Sequence, residues 1–254
     1  MTQSIDFNCD LGEGCGSDAA IVPCISSASI ACGGHAGDTA SMRQAIALCL
    51  QHGVAIGAHP SFVDREHFGR RELSLPAADI QQLVVEQVGT LAALCREAET
   101  SLQHVKPHGA LYNLAARDTA TADAIVQAVH DCDPGLFLYA LAGSELSAAG
   151  RRRGLRVVEE VFAERGYTAG GRLVPRDQAG AVIDRLDDSL AQVRGMLRDG
   201  SVRAVDGSLV PIRADTLCLH GDRADAADFA HALRTALQAE GYAIVAPAQR
   251  GTHA

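Results

Sequence analysis

The sequence has 254 residues, of which 47 % are hydrophobic, and a formal net charge of −9 at neutral pH. The length allows a large core, and the negative charge disfavours nucleic acids and anionic membranes as partners, because both attract a basic surface. Neither the opening residues MTQSIDFNCD nor any later segment resembles a signal peptide or the ~20-residue apolar run that crosses a bilayer. We therefore expect a cytoplasmic protein whose eight dispersed cysteines are reduced.

Short runs rich in β-branched residues recur along the chain and predict strands. In chain order they are IDFNC (5–9), SASIACG (27–33), VAIGAHP (54–60), HVKPHG (104–109), LFLYALAG (136–143), RVVEEVFAE (156–164) and TLCLHGD (216–222). Helix-like stretches separate them, which implies parallel pairing through right-handed crossovers. Seven such units favour an α/β fold with a closed (β/α) barrel over an open sheet. Residues 1–254 contain no linker or repeat, so we expect one domain.

Amphipathic patterns predict three helices between these strands. Their apolar faces are Met42, Ala45, Ile46 and Cys49, then Ile183, Leu186, Leu190, Val193 and Leu197, and then Ala226, Phe229, Ala230, Leu233 and Leu237. Asp38 is expected to cap the first helix at its start and Gly53 to end it. The segment VRAVDGSLVPI (202–212) predicts a β-hairpin insertion around Asp206 and Gly207. YTAGGRLVPR (167–176) predicts a second excursion of the same kind.

Polar side chains stand at the end of nearly every predicted strand. They are Asn8, Asp10 and Glu13 after the first, His35 and Asp38 after the second, His59 after the third, Lys106 and His108 at the fourth, Glu164 and Arg165 after the sixth, and His220 and Asp222 after the seventh. Parallel barrel strands all point the same way, so these groups converge on the rim where such folds build active sites. Four histidines at corresponding positions favour a site over four separate structural residues.

Several of these residues also have a structural interpretation. Asp10 and Glu13 either form an acid and base pair or cap the first helix. Lys106 and His108 are two residues apart, and strand periodicity therefore places both on the inward face. The long loop GAHPSFVDREHFGRRE (57–72) is typical of a lid or binding element; in it Arg70 is expected to meet an anionic substrate, and Arg71 to face either the substrate or solvent.

Six motifs, in order along most of the chain, resemble the LamB/YcsF family, the A subunits of bacterial 5-oxoprolinase. They are NCDLGEG, SIACGGHAGD, GAHPSF with FGRRE, VKPHGALYN, VFAERGYTAGGRLVPR and LCLHGD. The resemblance implies an irregular seven-stranded (β/α) barrel of the glycoside hydrolase/deacetylase type. It also implies ATP-dependent opening of the 5-oxoproline lactam to glutamate together with B and C subunits. Glu164 stands where the family typically has aspartate.

This chemistry assigns roles to the candidate residues. Asp10 or His59 would activate water, and His108 or His35 would protonate the departing nitrogen or phosphate oxygen. Lys106 would balance charge on the substrate oxygen. Glu13 and Glu164 are expected to bind the substrate. Arg70 and Arg165 are candidates for binding its carboxylate or phosphate. Asp222 is expected to orient His220, which is also placed among the substrate-binding residues. The sequence has no Walker-type loop, and ATP, as co-substrate, is therefore expected to be handled with the partner subunits.

Two other functions remain open at this stage. Asp10, His59 and His108 include ligand types for a divalent ion such as Zn²⁺, which would make the protein a metal-dependent amide or acetyl hydrolase of the deacetylase kind. A non-catalytic subunit that binds an acidic metabolite is the third possibility. The residues alone indicate a hydrolase for a small anionic substrate, and leave the metal undecided.

Overall fold

The computed structural model describes residues 3–220 and 225–248, in which strands and helices alternate along most of the chain. The strands are β1 (Gln3–Leu11), β2 (Ser27–Ala31), β3 (Ala55–His59), β4 (His104–Val105), β5 (Phe137–Leu141), β6 (Arg156–Phe162), β7 (Ser201–Arg203), β8 (Leu209–Pro211), β9 (Thr216–Leu219) and β10 (Tyr242–Ile244). The helices are α1 (Asp18–Ile21), α2 (Thr39–His52), α3 (Ala77–Glu97), α4 (Gly109–Ala115), α5 (Thr119–Cys132), α6 (Glu145–Arg153), α7 (Leu186–Arg194) and α8 (Ala226–Ala239).

Within the described residues, seven parallel strands close into a barrel in the order β1-β2-β3-β4-β5-β6-β9. Closure is visible at Asn8, which lies in register with Ser27 of β2 on one side and with Cys218 of β9 on the other. The seven-stranded barrel predicted from the sequence is therefore confirmed. Strand β10, which was not predicted, pairs with the first residues of β1 outside the ring.

The barrel interior is polar, and strand periodicity explains why. Along β1 the apolar residues Ile5, Phe7, Cys9 and Leu11 alternate with Asp6, Asn8 and Asp10, and both sets are buried. Because successive side chains point to opposite faces, the second set shares the interior of the barrel. Four hydroxyl groups donate to the Asp6 carboxylate, from Ser26 (2.6 Å), Ser27 (2.7 Å), Tyr139 (2.8 Å) and Thr216 (2.6 Å). Asp10 lies further along the same face and enters the site described below.

The predicted helix signals are confirmed at α2 and α8 and need correction at α7. Asp38 and Ser41 form a reciprocal capping box at the start of α2, and Gly53 ends it in the left-handed conformation at φ 66°. Helix α7 begins only at Leu186, so the prediction that Ile183 belongs to it is wrong. Arg185 is extended, and the Ile183 N–H donates to the Glu164 carbonyl instead of entering a helix. The segment after α7, Gly195–Asp199, forms one π turn.

Both predicted excursions are present. Strands β7 and β8 form an antiparallel hairpin in which Val202 pairs with Val210, and Gly207 turns at φ 89°. The 167–176 segment forms isolated antiparallel bridges, with Arg165 opposite Val182 and Tyr167 opposite Leu173. It thereby brings its arginines over the carboxyl ends of the barrel strands, where they line the cavity described below.

Six of the eight cysteines are buried as free thiols: Cys9, Cys24, Cys32, Cys49, Cys95 and Cys218. Burial raises the pKa of Cys32 and of Cys49 to about 12, so both stay protonated and unreactive at neutral pH. In the parts of the chain that the structure describes, no helix is long and apolar enough to cross a membrane.

Gly57 on β3 provides a test of the packing. A Cβ atom there would overlap the ring of His104, which is itself held between Ser29 (3.2 Å) and the stacked ring of Tyr139 (4.1 Å between centroids). We expect Gly57→Ala to lower the free energy of unfolding by about 1–3 kcal/mol, because a filled core cannot accept another methyl group without moving. Urea unfolding followed by circular dichroism measures the change.

The control is Gly89→Ala on the exposed side of α3, where an added Cβ meets no described atom within 4 Å. Alanine favours the helix more than glycine does, so this variant should be about 0.5–1 kcal/mol more stable. Equal unfolding midpoints for the two variants would contradict the packing around His104.

Candidate active site

The carboxyl ends of the barrel strands bring six ionisable side chains into one cluster. Asp10 is the second-last residue of β1 and His59 is the last of β3; Lys106 and His108 follow β4; Glu13 and His35 come from the loops after β1 and β2. Backbone hydrogen bonds from Lys106 to Ala58 (2.9 Å) and from His108 to Pro60 (2.8 Å) extend the β3 and β4 pairing past Val105. The predicted inward direction of Lys106 and His108 is consistent with their burial at 2 % and 6 % exposure.

Asp10 and Lys106 form a buried ion pair. The ammonium nitrogen lies 2.6 Å from Asp10 Oδ1, and it also contacts Glu160 Oε1 at 3.1 Å. Burial alone would lower the pKa of Lys106, but the neighbouring carboxylates outweigh it and hold the pKa well above its ordinary value. Burial alone would raise the pKa of Asp10, but the neighbouring His59 and Lys106 outweigh it and hold the pKa well below its usual range. Lys106 is thus a fixed cation rather than a nucleophile, and Asp10 an ionised carboxylate.

Glu160 is a member of this network that the sequence analysis did not single out. It is fully buried, and its Oε2 accepts a 2.6 Å hydrogen bond from the Tyr112 hydroxyl. Asn8 donates to Glu160 Oε1 (3.1 Å) and accepts from Lys106 (2.8 Å). Tyr112 also lines the cavity described below and therefore belongs to the site. The available signal was a glutamate in the middle of a β-branched strand, at a position that alternation turns inward.

Three histidine rings meet beside Asp10. The rings of His35 and His108 stack with centroids 3.7 Å apart, and His59 stands nearly perpendicular to both. Glu13 Oε1 lies 2.9 Å from His35 Nε2 and 3.3 Å from His108 Nδ1. Asp18, rather than Glu13, accepts the Gly12 N–H beside α1. The capping interpretation of Glu13 is therefore wrong, and Glu13 contacts the histidine rings.

The outward nitrogen of each ring is held by an acceptor. His59 Nδ1 donates to the Lys106 carbonyl (2.7 Å) and His108 Nε2 donates to the Phe68 carbonyl (3.0 Å). His35 Nδ1 lies 2.9 Å from Ser61 Oγ, whose own proton goes to the Phe62 carbonyl (3.0 Å), so His35 donates here. Carbonyl oxygens cannot donate, and these contacts therefore fix the N–H of every neutral ring on the outside of the cluster.

Burial favours the neutral form of two of these rings. Burial lowers the pKa of His35, although Glu13 partly opposes the shift. Burial and the neighbouring rings of His59 and His35 hold the pKa of His108 well below its ordinary value. At neutral pH His35 and His108 consequently carry their single N–H outward and turn a lone pair inward.

A cavity of about 350 Å³ opens next to the cluster. Asp10, His59, Lys106, His108 and Glu160 line one part of it. The other lining residues include five arginines, namely Arg70, Arg117, Arg165, Arg172 and Arg176. Because the two lining carboxylates both contact Lys106, the arginines leave the cavity with an excess of positive charge. Such a cavity suits a small anionic ligand.

Glu164, Arg165 and His220 lie on the same rim. His220 lines the cavity, and its Nδ1 and backbone N–H both contact Glu164 Oε1, at 2.5 and 3.1 Å. Glu164 thus takes the orienting part that was expected of Asp222, which lies outside the described residues. Arg165 donates to the Ala181 (3.0 Å) and Val174 (2.6 Å) carbonyls, and burial and the neighbouring Arg176 lower its pKa to about 10. Arg165 therefore also fixes the 167–176 segment.

Fold and site together define a (β/α)-barrel protein with a polar, ionisable centre at the carboxyl ends of its strands. The LamB/YcsF family model matches residues 5–252, and the chain belongs to this family. The resemblance inferred from the six motifs is confirmed.

Relatives of known name match nearly the whole chain. The 5-oxoprolinase A subunits of Bordetella pertussis and Bordetella parapertussis are each 52 % identical over 251 residues, 97 % of this chain and 100 % of theirs. Among solved structures, a lactam utilization protein from Thermus thermophilus is 42 % identical with a TM-score of 0.90, over 96 % of this chain and 100 % of that one.

More distant structures share the barrel. A peptidoglycan deacetylase from Bacillus subtilis has a TM-score of 0.50 and 12 % identity over 96 % of this chain and 87 % of that one. At such identity the similarity establishes the fold alone, and it agrees with the deacetylase-type barrel expected from the sequence.

Proposed function

We propose that this chain is the A subunit of an ATP-dependent 5-oxoprolinase, which opens the lactam of 5-oxoproline to glutamate in the cytoplasm together with B and C subunits. The names of the relatives that match nearly the whole chain support 5-oxoproline as the substrate. The observation that carries the proposal is the cavity itself, which is lined by an ionised carboxylate, a buried lysine and several arginines. A lactam with a carboxylate, or its phosphorylated form, is a small anion of this kind.

The reaction needs activation of a poor electrophile. Transfer of a phosphoryl group from ATP to the lactam oxygen makes the ring carbon electrophilic. One water then opens the C–N bond, and a second releases the phosphate, so that glutamate, ADP and phosphate are the products. We assign phosphoryl transfer to the B and C subunits, since the sequence contains no Walker-type loop, and the hydrolytic steps to this chain.

We assign the central roles in these steps to Asp10 and Lys106, because both are buried and line the cavity. Asp10 stays ionised in the cavity wall and accepts the proton of the attacking water, which is then available to the leaving nitrogen. Lys106, held as a cation, stabilises negative charge that develops on the substrate oxygen. The arginines that line the cavity bind the carboxylate or phosphate of the substrate.

The proposal is tested by leaving individual subunits out of the assay. Glutamate release is measured from 5-oxoproline and ATP with this chain alone, with the B and C subunits alone, and with all three together. We expect release only in the complete mixture. Equal rates with and without this chain would overturn the proposal, and ATP-independent release by this chain alone would favour the second candidate, a metal-dependent amide hydrolase. The histidine–glutamate cluster is the observation that favours that second function.

Arg70 tests the binding of the substrate anion. It lines the cavity, lies over the Phe68 ring at 5.0 Å, and is exposed. We expect Arg70→Gln to raise the KM for 5-oxoproline about tenfold, the effect of losing one charge-assisted hydrogen bond, without changing the unfolding midpoint. The neighbouring Arg71→Gln is the matched control, because Arg71 contacts Asp64 at 3.6 Å and not the cavity. Equal KM values for the two variants would remove Arg70 from the binding site.

A further inference from the structure

The inward atoms of the histidine cluster have the spacing of a metal coordination shell. Glu13 Oε1 lies 2.9 Å from His35 Nε2, 3.3 Å from His108 Nδ1 and 3.8 Å from His59 Nε2. His59 Nε2 and His108 Nδ1 are 2.9 Å apart. Ligands of a tetrahedral Zn²⁺ ion, with bonds of about 2.0–2.1 Å, are about 3.3 Å from one another. These four of the six pairwise distances scatter around this value, and all six lie within 4.8 Å.

When the three rings are neutral, the inward atoms of the cluster are all hydrogen-bond acceptors. All three outward nitrogens already donate, so His59 and His108, when neutral, face each other with two lone pairs across 2.9 Å. The lone pair of neutral His35 faces a carboxylate oxygen at the same distance. Asp10 Oδ2, a fifth acceptor, lies 3.2 Å from His59 Nε2. Acceptors that converge without a donor repel one another unless a cation lies among them.

We propose that Glu13, His35, His59 and His108 bind one divalent transition-metal ion, for which Zn²⁺ is the reference. Three imidazole nitrogens and one carboxylate oxygen are a donor set that Zn²⁺ and its neighbours in the series favour. Each histidine ring also has a hydrogen-bond partner on its outer side, namely Ser61, the Lys106 carbonyl or the Phe68 carbonyl. Contacts of this kind orient histidine ligands in metal sites. The set keeps His59 and His108 from the ligands considered from sequence, and has Glu13 and His35 in place of Asp10.

The site deepens the proposed function and rests on it for its catalytic meaning. A bound ion of this class supplies Lewis-acid polarisation of a substrate oxygen. Asp10 and Lys106 line the cavity next to two of the ligands, His59 and His108. The three rings are then ligands rather than proton donors, which agrees with their outward N–H groups.

Metal binding is measured directly, without turnover. The full chain is stripped with a chelator, and Co²⁺ is titrated into it while its visible absorption is recorded; competition with Zn²⁺ then gives the affinity for that ion. Elemental analysis of protein purified without added metal gives the natural content. We expect one equivalent of bound ion, a d–d absorption typical of four-coordinate Co²⁺, and a higher Tm with Zn²⁺ than without it.

Two variants and one control complete the test. His108→Gln and Glu13→Gln should each bind Co²⁺ at least tenfold more weakly; Glu13 is half-buried on a loop, so its replacement leaves the core filled. His104→Gln removes a buried barrel histidine that bonds Ser29 and lies outside the four ligands, and it should keep wild-type affinity. Wild-type protein that binds no Co²⁺, or binds it no better than both ligand variants, would overturn the site. If the complete mixture releases glutamate although no metal is bound, the inferred metal site is wrong and the proposed function stands.

Discussion

Asp10→Asn is expected to lower glutamate formation by the complete three-subunit mixture about a thousandfold, while the protein stays folded. Asparagine is nearly the same size but cannot accept a proton from water. The variant should fold because Lys106 keeps Glu160 at 3.1 Å and the Asn8 oxygen at 2.8 Å as partners. The measurement is the rate of glutamate release at saturating 5-oxoproline and ATP, with the unfolding midpoint recorded alongside.

Asp118→Asn provides the matched control. Its carboxylate caps α5 by accepting the Thr121 N–H at 2.7 Å, and asparagine caps helices as well as aspartate does. We expect this variant to retain the wild-type rate. A rate for Asp10→Asn within tenfold of the control would show that Asp10 does not take the proton of the attacking water.

Lys106→Met is expected to lower the free energy of unfolding by about 3–5 kcal/mol, the usual cost of leaving buried charges without their partner. Lys106 is the only lysine in the sequence, and its ammonium group lies between the carboxylates of Asp10 and Glu160. Both carboxylates are nearly inaccessible to water, so neither is solvated once the cation is gone. Urea unfolding at neutral pH measures the loss.

A double-mutant cycle with Glu160→Gln identifies the cause. Removing one carboxylate together with the lysine should offset part of the damage, with a coupling energy of about 1–3 kcal/mol. The control is Arg152→Gln, which breaks an exposed ion pair with Asp123 and should cost less than about 1 kcal/mol. Additive effects of Lys106→Met and Glu160→Gln would contradict the buried charge network.

Much of the barrel was predictable because strand and helix signals are local. β-branched runs, the Asp38 cap and Gly53 mark β2, α2 and β3 within a few residues of their observed bounds. The fourth strand is two residues long because Pro107 has no N–H to continue the ladder, although Lys106 and His108 still bond to β3. Strand β10 is only three residues long, and Val245 and Ala246 follow it directly, so no alternation of apolar and polar residues marks it.

The location of the site was predictable, but its internal connections were not. Parallel strands force His59, Lys106 and His108 onto one rim, so their meeting follows from topology. Whether Glu13 caps a helix or reaches histidines depends on the loop after β1, and the sequence NCDLGEG is compatible with both. Glu160 resembled its neighbour Glu159, which instead accepts from the Gly143 N–H (2.8 Å) and the Ser147 hydroxyl (2.6 Å). Because adjacent residues of a strand point to opposite faces, only one of the two can be turned inward, and the contacts with Tyr112 and Lys106 identify it as Glu160.

The central claim is that this chain carries out hydrolysis while its partners handle ATP. The most direct measurement is phosphate release from ATP by this chain alone, with and without 5-oxoproline, beside the complete mixture. We expect that 5-oxoproline stimulates no ATP hydrolysis by the chain alone, and that the complete mixture consumes ATP as it forms glutamate. Stimulation of ATP hydrolysis by 5-oxoproline in the isolated chain would contradict it.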